Sequence, residues 1–166
     1  MPYCGADTDA SVICNHVIVS INSPASANGT IQFQVTARSP VAGVDMSGNE
    51  YIFTDGNAGA ANSYNLVVNS GSDEPIFYVY DSAGVSRYVT PNVSNWAADT
   101  DYTLEAYADG NGNLGLYWNS AWDESESGAG TGKRSASQTT LYLGGTNSAG
   151  ENFWIRDFVV YRRILR

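Results

Sequence analysis

Apolar and polar residues alternate with a period of two over short segments along most of this chain, and the spacing of an amphipathic helix is absent. Residues 30–37 are the plainest case. Ile31, Phe33, Val35 and Ala37 fall on one face and Gln32, Gln34 and Thr36 on the other, as in a strand packed on one side only. An earlier strand is predicted over 12–21, followed by a turn-like segment over 22–29. Further strands are predicted over 50–54, 64–69, 76–80, 87–90, 102–108, 114–119, 140–143 and 153–161, at spacings typical of a sandwich or barrel. The clearest hairpin runs from Tyr102 to Asn119. Leu104, Ala106 and Ala108 share the inner face of its first strand, and Leu114, Leu116 and Trp118 that of its second. Asp109-Gly110-Asn111-Gly112-Asn113 supplies turn residues that tolerate positive φ. The opposite face carries Glu105, Tyr107 and Tyr117. Trp96, Trp118 and Trp154, in or beside strands, are expected in the core. Residues 125–137, crowded with Gly and Ser, read as a long mobile loop.

With 166 residues and 17 glycines marking the ends of short segments, the chain fits one domain with a core of its own. No apolar run approaches the ~20 residues of a spanning helix, which excludes helical membrane insertion. The net charge of -9 repels nucleic-acid phosphates and anionic membranes. It is unevenly spread: thirteen acids and one base, Arg87, lie between Asp45 and Glu126, whereas Arg156, Arg162, Arg163 and Arg166 crowd the last eleven residues. The first residues show no charged leader followed by an apolar stretch, so the sequence predicts either a chain that is not secreted or one whose signal has been removed. Cys4 and Cys14 could pair in an oxidising compartment, while a chain that is not secreted keeps them as reduced thiols, the preferred expectation; the sequons at Asn28 and Asn92 are expected in surface loops.

Five segments occur in an order that resembles the concanavalin A-like lectin and glucanase superfamily, in particular its laminin-G-like branch. They are Thr30-Ile31-Gln32-Phe33, Tyr51-Ile52-Phe53-Thr54-Asp55-Gly56, residues 96–109 with 114–119, Leu141-Tyr142-Leu143-Gly144-Gly145, and the closing stretch from Ile155 to Leu165. The resemblance covers residues 29–166 and implies an all-β, concanavalin A-like jelly-roll β-sandwich of two antiparallel sheets. Residues 1–28 fall outside it and form an N-terminal arm or extra strand. Phe153-Trp154 stands where the family usually has a small residue or glycine before its final strand.

Nothing in the sequence supports catalysis. The glucanase branch needs two carboxylates flanking a scissile bond, written Glu-x-Asp-x-x-Glu, and that motif is missing. Asp123-Glu124-Ser125-Glu126 is the densest acid cluster, but its expected loop setting would not hold two carboxylates at a fixed separation. The only histidine, His16, has no nucleophile motif around it, and two cysteines without matching histidines do not make a zinc site. The 109–113 turn lacks the glycine and bidentate glutamate that calcium needs at the later positions of an EF-hand loop. Asp99-Thr100-Asp101 and Asp7-Thr8-Asp9 could each lend oxygens to calcium, but two acids are too few to assign a metal, and no cofactor is assigned.

Sugar recognition asks for an aromatic face against which C–H groups stack, with amide or carboxylate groups beside it to bond hydroxyls. Tyr107, Tyr117, Asn119, Trp122 and Asp123 provide that mixture and form the candidate glycan- or partner-binding set. The alternatives are that these aromatics pack on the second sheet or on a neighbouring subunit. The preferred reading is a non-enzymatic surface or attachment protein: a phage virion decoration or fibre component, homo-oligomeric, contacting other virion or surface proteins and glycan. The alternative is a lectin module of a cellular, extracellular protein, and a glycoside hydrolase is least supported. Virion-surface localisation goes with the first reading, in which residues 1–22 offer a strand or arm to a neighbour.

Overall fold

The computed structural model describes residues 17–20, 31–92, 95–119, 124–135, 138, 140–146 and 153–161, with the backbone alone for 17–20 and 124–125. Among these described residues eleven strands run in chain order: β1 Val17–Ser20, β2 Ile31–Arg38, β3 Glu50–Asp55, β4 Tyr64–Asn69, β5 Glu74–Tyr80, β6 Ser86–Pro91, β7 Tyr102–Ala108, β8 Leu114–Trp118, β9 Glu124–Ser127, β10 Thr140–Leu143 and β11 Trp154–Tyr161. A 3-10 turn, Gly43–Asp45, lies between β2 and β3. They form two antiparallel sheets, one of seven strands in the order β1-β10-β3-β4-β5-β6-β9 and one of four in the order β11-β2-β7-β8. This is the jelly-roll sandwich that the resemblance implied, and one of the two architectures, sandwich or barrel, that the strand spacing allowed.

The period-two pattern decides which side chains meet between the layers. Phe33 and Val35 of β2, Leu104 and Ala106 of β7 and Leu116 of β8 face Phe53, Leu66, Phe77 and Val79 of the larger sheet, all in one buried cluster. Phe33 lies 4.6 Å from Phe53 and 5.5 Å from Tyr64, ring centre to ring centre, in the tilted and edge-on geometries that aromatic rings prefer. Two bulges correct the parity. The register of β3 slips between Tyr51 and Phe53, so Ile52 and Phe53 both reach the core, and that of β11 slips between Arg156 and Val159, where Asp157 adopts φ +54°.

Three expectations need correction. Trp154 is not a core residue: it is 43% exposed, while Phe153 is buried. The pairing of Ile155 with inward-facing Ala37 turns Trp154 and its partner Arg38 outward, where the guanidinium stacks 4.6 Å from the indole centre. The acid cluster is not in a loop either, because Glu124–Ser127 is a strand paired with β6. Nor do residues 128–135 trail freely. Gly130 donates to the Ser86 carbonyl, Thr131 N–H to Asp81 and Ser135 N–H to Asn62. A Cβ on Gly130 would stand 2.4 Å from the Val85 carbonyl oxygen, so this glycine permits close approach of backbones. Residues 136 and 137 lie outside the described set, as do residues 12–16 and 21 of the first expected strand. The remaining four, Val17–Ser20, pair with β10 of the same chain.

The segment 128–135 also delivers Arg134 into the sandwich. Its guanidinium pairs with Asp55, both side chains 1% exposed, and covers the Tyr64 ring at 4.0 Å. Burial pushes the Asp55 carboxyl above its ordinary value, and the Arg134 charge opposes that shift.

Candidate functional site

The outward face of the four-stranded sheet is built by the alternate residues of β2, β7, β8 and β11. Gln32, Gln34, Thr36, Glu105, Tyr107 and Tyr117 occupy it, knitted together across the strands. The Gln32 amide donates to Glu105 at 3.1 Å, the Tyr161 hydroxyl to Gln34 at 3.3 Å, and the Thr36 and Thr103 hydroxyls stand 3.5 Å apart. These amides and hydroxyls are held by cross-strand register and are therefore set in advance of any ligand.

Tyr107 lies directly opposite Gly115. A Cβ at 115 would stand 2.0 Å from Tyr107 Cε1 and 2.4 Å from its Cζ, so the ring crosses the space that a side chain would fill. The half-exposed phenol ring is thereby laid against the sheet, with Gln32 on one neighbouring strand and Tyr117 two residues on along β8. The hairpin turn fixes this geometry. Asp109 accepts bonds from the Asn111 and Asn113 amides at 2.8 and 2.9 Å and from the Asn113 side chain at 2.7 Å. Partial burial raises the Asp109 carboxyl, but these bonds outweigh it and hold the group below its ordinary value.

The predicted set is thus divided. Tyr107 and Tyr117 share the outward face. Asn119, in the left-handed region at φ +47°, spends its side-chain oxygen on the Thr103 amide and its own N–H on the Thr103 carbonyl, closing the hairpin. Trp122 and Asp123 lie outside the described residues, as do Cys4, Cys14, His16 and Asp7-Thr8-Asp9. Asp99 and Asp101, weighed as calcium ligands, form ion pairs with Arg38 at 3.0 Å and Arg156 at 2.8 Å. Glu126 binds Arg87 through two bonds of 2.9 and 2.8 Å and accepts from the Leu114 amide. No group of three or more potential metal ligands occurs among the described residues.

Sequence reasoning missed a second aromatic surface, on the outward face of the seven-stranded sheet. Tyr78 sits 5.2 Å from Tyr88 and 5.9 Å from Tyr80, ring centre to ring centre, and Tyr51 lies close enough to influence both Tyr78 and Tyr80. Alternation along β5 puts Ile76, Tyr78 and Tyr80 on one side. Only the registers of β4 with β3 and of β5 with β6 bring Tyr51 and Tyr88 alongside.

No known family model matches the chain, and no curated protein matches it in sequence. Its shape does match solved structures. Domains LG4-5 of the mouse laminin alpha1 chain align with a TM-score of 0.67 and 14% identity, over 90% of this chain and 40% of that one. The receptor binding domain of botulinum neurotoxin D aligns at 0.72 and 13%, over 94% and 40%. The botulinum neurotoxin serotype D ligand binding domain in complex with N-acetylneuraminic acid aligns at 0.69 and 12%, over 91% and 37%. The chain spans about two fifths of the length of each, and at these identities the likeness establishes the fold, a laminin-G-like jelly-roll sandwich.

Proposed function

We propose that this chain is a non-catalytic recognition module that binds carbohydrate on the outward face of its four-stranded sheet. The observation that carries the reading is the Tyr107 ring laid over Gly115 beside Gln32, Glu105 and Tyr117. A sugar ring stacks its C–H face on such a platform while fixed amide and carboxylate groups bond its hydroxyls. The fold lends support, since one structural neighbour is a toxin domain in complex with N-acetylneuraminic acid. In the same proposal the module serves attachment at a virion surface, as a decoration or fibre component beside copies of itself. Immunogold labelling of purified particles and light scattering of the purified chain test those two parts; unlabelled particles or a strict monomer at high concentration removes them.

The recognition itself is tested by titrating the chain with a panel of neutral and sialylated oligosaccharides. Tyr107→Ala is expected to weaken binding on the order of tenfold. Gly115→Val, which removes no aromatic residue but displaces the Tyr107 ring, is expected to do the same. Oligosaccharide affinity unchanged in both variants, or absent from the parent chain, overturns the reading. Trp122→Ala reports whether the following segment joins the site.

A further inference from the structure

The tyrosine face of the seven-stranded sheet groups aromatic rings on described positions that are poor in charge. Tyr51, Tyr78, Tyr80 and Tyr88 are each half-buried, and Val67 and Ile76, on the same outward side, are buried outside the main core cluster. The face therefore has an apolar floor with phenol rings grouped above it. Although the chain carries a net charge of -9, Glu74, at the start of β5, is the one charged side chain on the described outward-facing positions of β3 to β6. Arg87, next to Tyr88, points to the other side with Val79 and is paired with Glu126. An aromatic centre poor in charge, with a polar margin, is the composition of a protein-binding surface.

We propose that this face docks a protein partner through an arginine or lysine side chain, which lies over the tyrosine rings with Glu74 as its counter-charge. The rings present negative π-faces, and Glu74 adds a full negative charge without a competing cation among the described positions of the face. Burial, then the neighbouring tyrosines and Glu74, push the Tyr78 hydroxyl up to about 12. The protein's overall negative field draws a basic partner toward it. The same pairing already operates within the chain, where Arg134 covers Tyr64 and Arg38 covers Trp154. This surface lies on the opposite sheet from Tyr107, so it stands or falls independently of carbohydrate binding there.

The test uses the whole chain and a capped Gly-Arg-Gly-Arg-Gly peptide, with a second peptide in which citrulline replaces arginine to keep shape and remove charge. Aromatic NMR signals assigned to the four tyrosines are followed during titration. Saturable shifts are expected with the arginine peptide, with affinity lower by about threefold to tenfold for the citrulline peptide. Tyr78→Leu with Tyr88→Leu should abolish the shifts, Glu74→Gln should weaken them, and Tyr78→Phe, which keeps the π-face, should retain them. A Tm measurement confirms that the double variant is folded. Equal response to both peptides, shifts confined to residues of the other sheet, or a response to a neutral glucan oligosaccharide and not to arginine overturns the proposal.

Discussion

Where β4 turns into β5, the end of the sandwich is closed by rings. Trp96 is fully buried, 4.5 Å from Tyr102 and 5.7 Å from both Trp118 and Phe153. At the other end, where β3 leaves for β4, the seal is the Arg134–Asp55 ion pair under Tyr64, with Gln138 donating to the carbonyls of Ala61 and Asn62. Both ends exclude water, but by opposite chemistry. The aromatic end is stabilised by the area it removes from water. At the charged end, attraction is set against the cost of desolvating two ions, so its net contribution is small while its fragility is large. A seal of the second kind specifies a route for the chain: only residues 128–135 can bring Arg134 to Asp55.

The largest effects should come from breaking either seal. Trp96→Ala and Arg134→Ala are each expected to cost about 3–5 kcal/mol, the first by leaving a cavity and the second by stranding a buried carboxylate. Urea titration measures both. The comparison sharpens with a second substitution: Asp55→Leu combined with Arg134→Met should recover most of the loss at the charged end. A double variant as unstable as Arg134→Ala alone would show that the ion pair is not the weak contributor described.

A smaller effect is expected at Asp81, which holds the 128–135 segment near the charged end. Its carboxylate accepts from the amides of Ala83, Val85 and Thr131 at 3.0, 3.0 and 3.1 Å. Asp81→Ala should cost about 1.5–3 kcal/mol and speed tryptic cleavage at Lys133. Burial raises this carboxyl, but the three amides prevail and leave it below 3.8. Its contribution is therefore complete above that value and fades as pH falls through the lower, folded one. Unfolding curves between pH 5 and pH 2 should be less steep in pH for Asp81→Ala than for the parent chain, with Asp109 supplying part of the dependence that remains.

Glu50 carries the opposite sign at the aromatic end. It pairs with inward-facing Val68, one of its carboxylate oxygens accepts no bond from the described residues, and burial raises its pKa above 4.5. The stabilising form is the protonated one, present below 4.5 and lost as pH rises through the folded value. Glu50→Gln is thus expected to raise the Tm at pH 7 and to leave it nearly unchanged at pH 4; a loss at pH 7 contradicts that assignment. The smallest effect is expected at the rim. Arg38 and Asp99 are 40% and 60% exposed, so Asp99→Asn should change stability by less than about 1 kcal/mol.

The two seals also differ in how far the chain announces them. Strand parity placed Trp118 correctly in the core, and the alternation of Leu104, Ala106 and Ala108 set the Tyr107 face outward. Arg134 gave no comparable signal. It sits 79 positions from Asp55 in a stretch whose Gly and Ser content suggests slack, although those glycines serve close backbone contact. Trp154 misled for a related reason, since its neighbour Phe153 takes the inward place. Tyr117 and Tyr107 were legible from the hairpin alone. The significance of Gly115 was not, because it depends on which residue lies across the ladder.

The bulge at Asp157 bears on how copies of this chain can associate. Among the described residues β11 is the outermost strand of the smaller sheet, and its eight residues would otherwise present an unbroken row of amides to any passing strand. The extra residue breaks that row midway, which disfavours strand-to-strand association along this border.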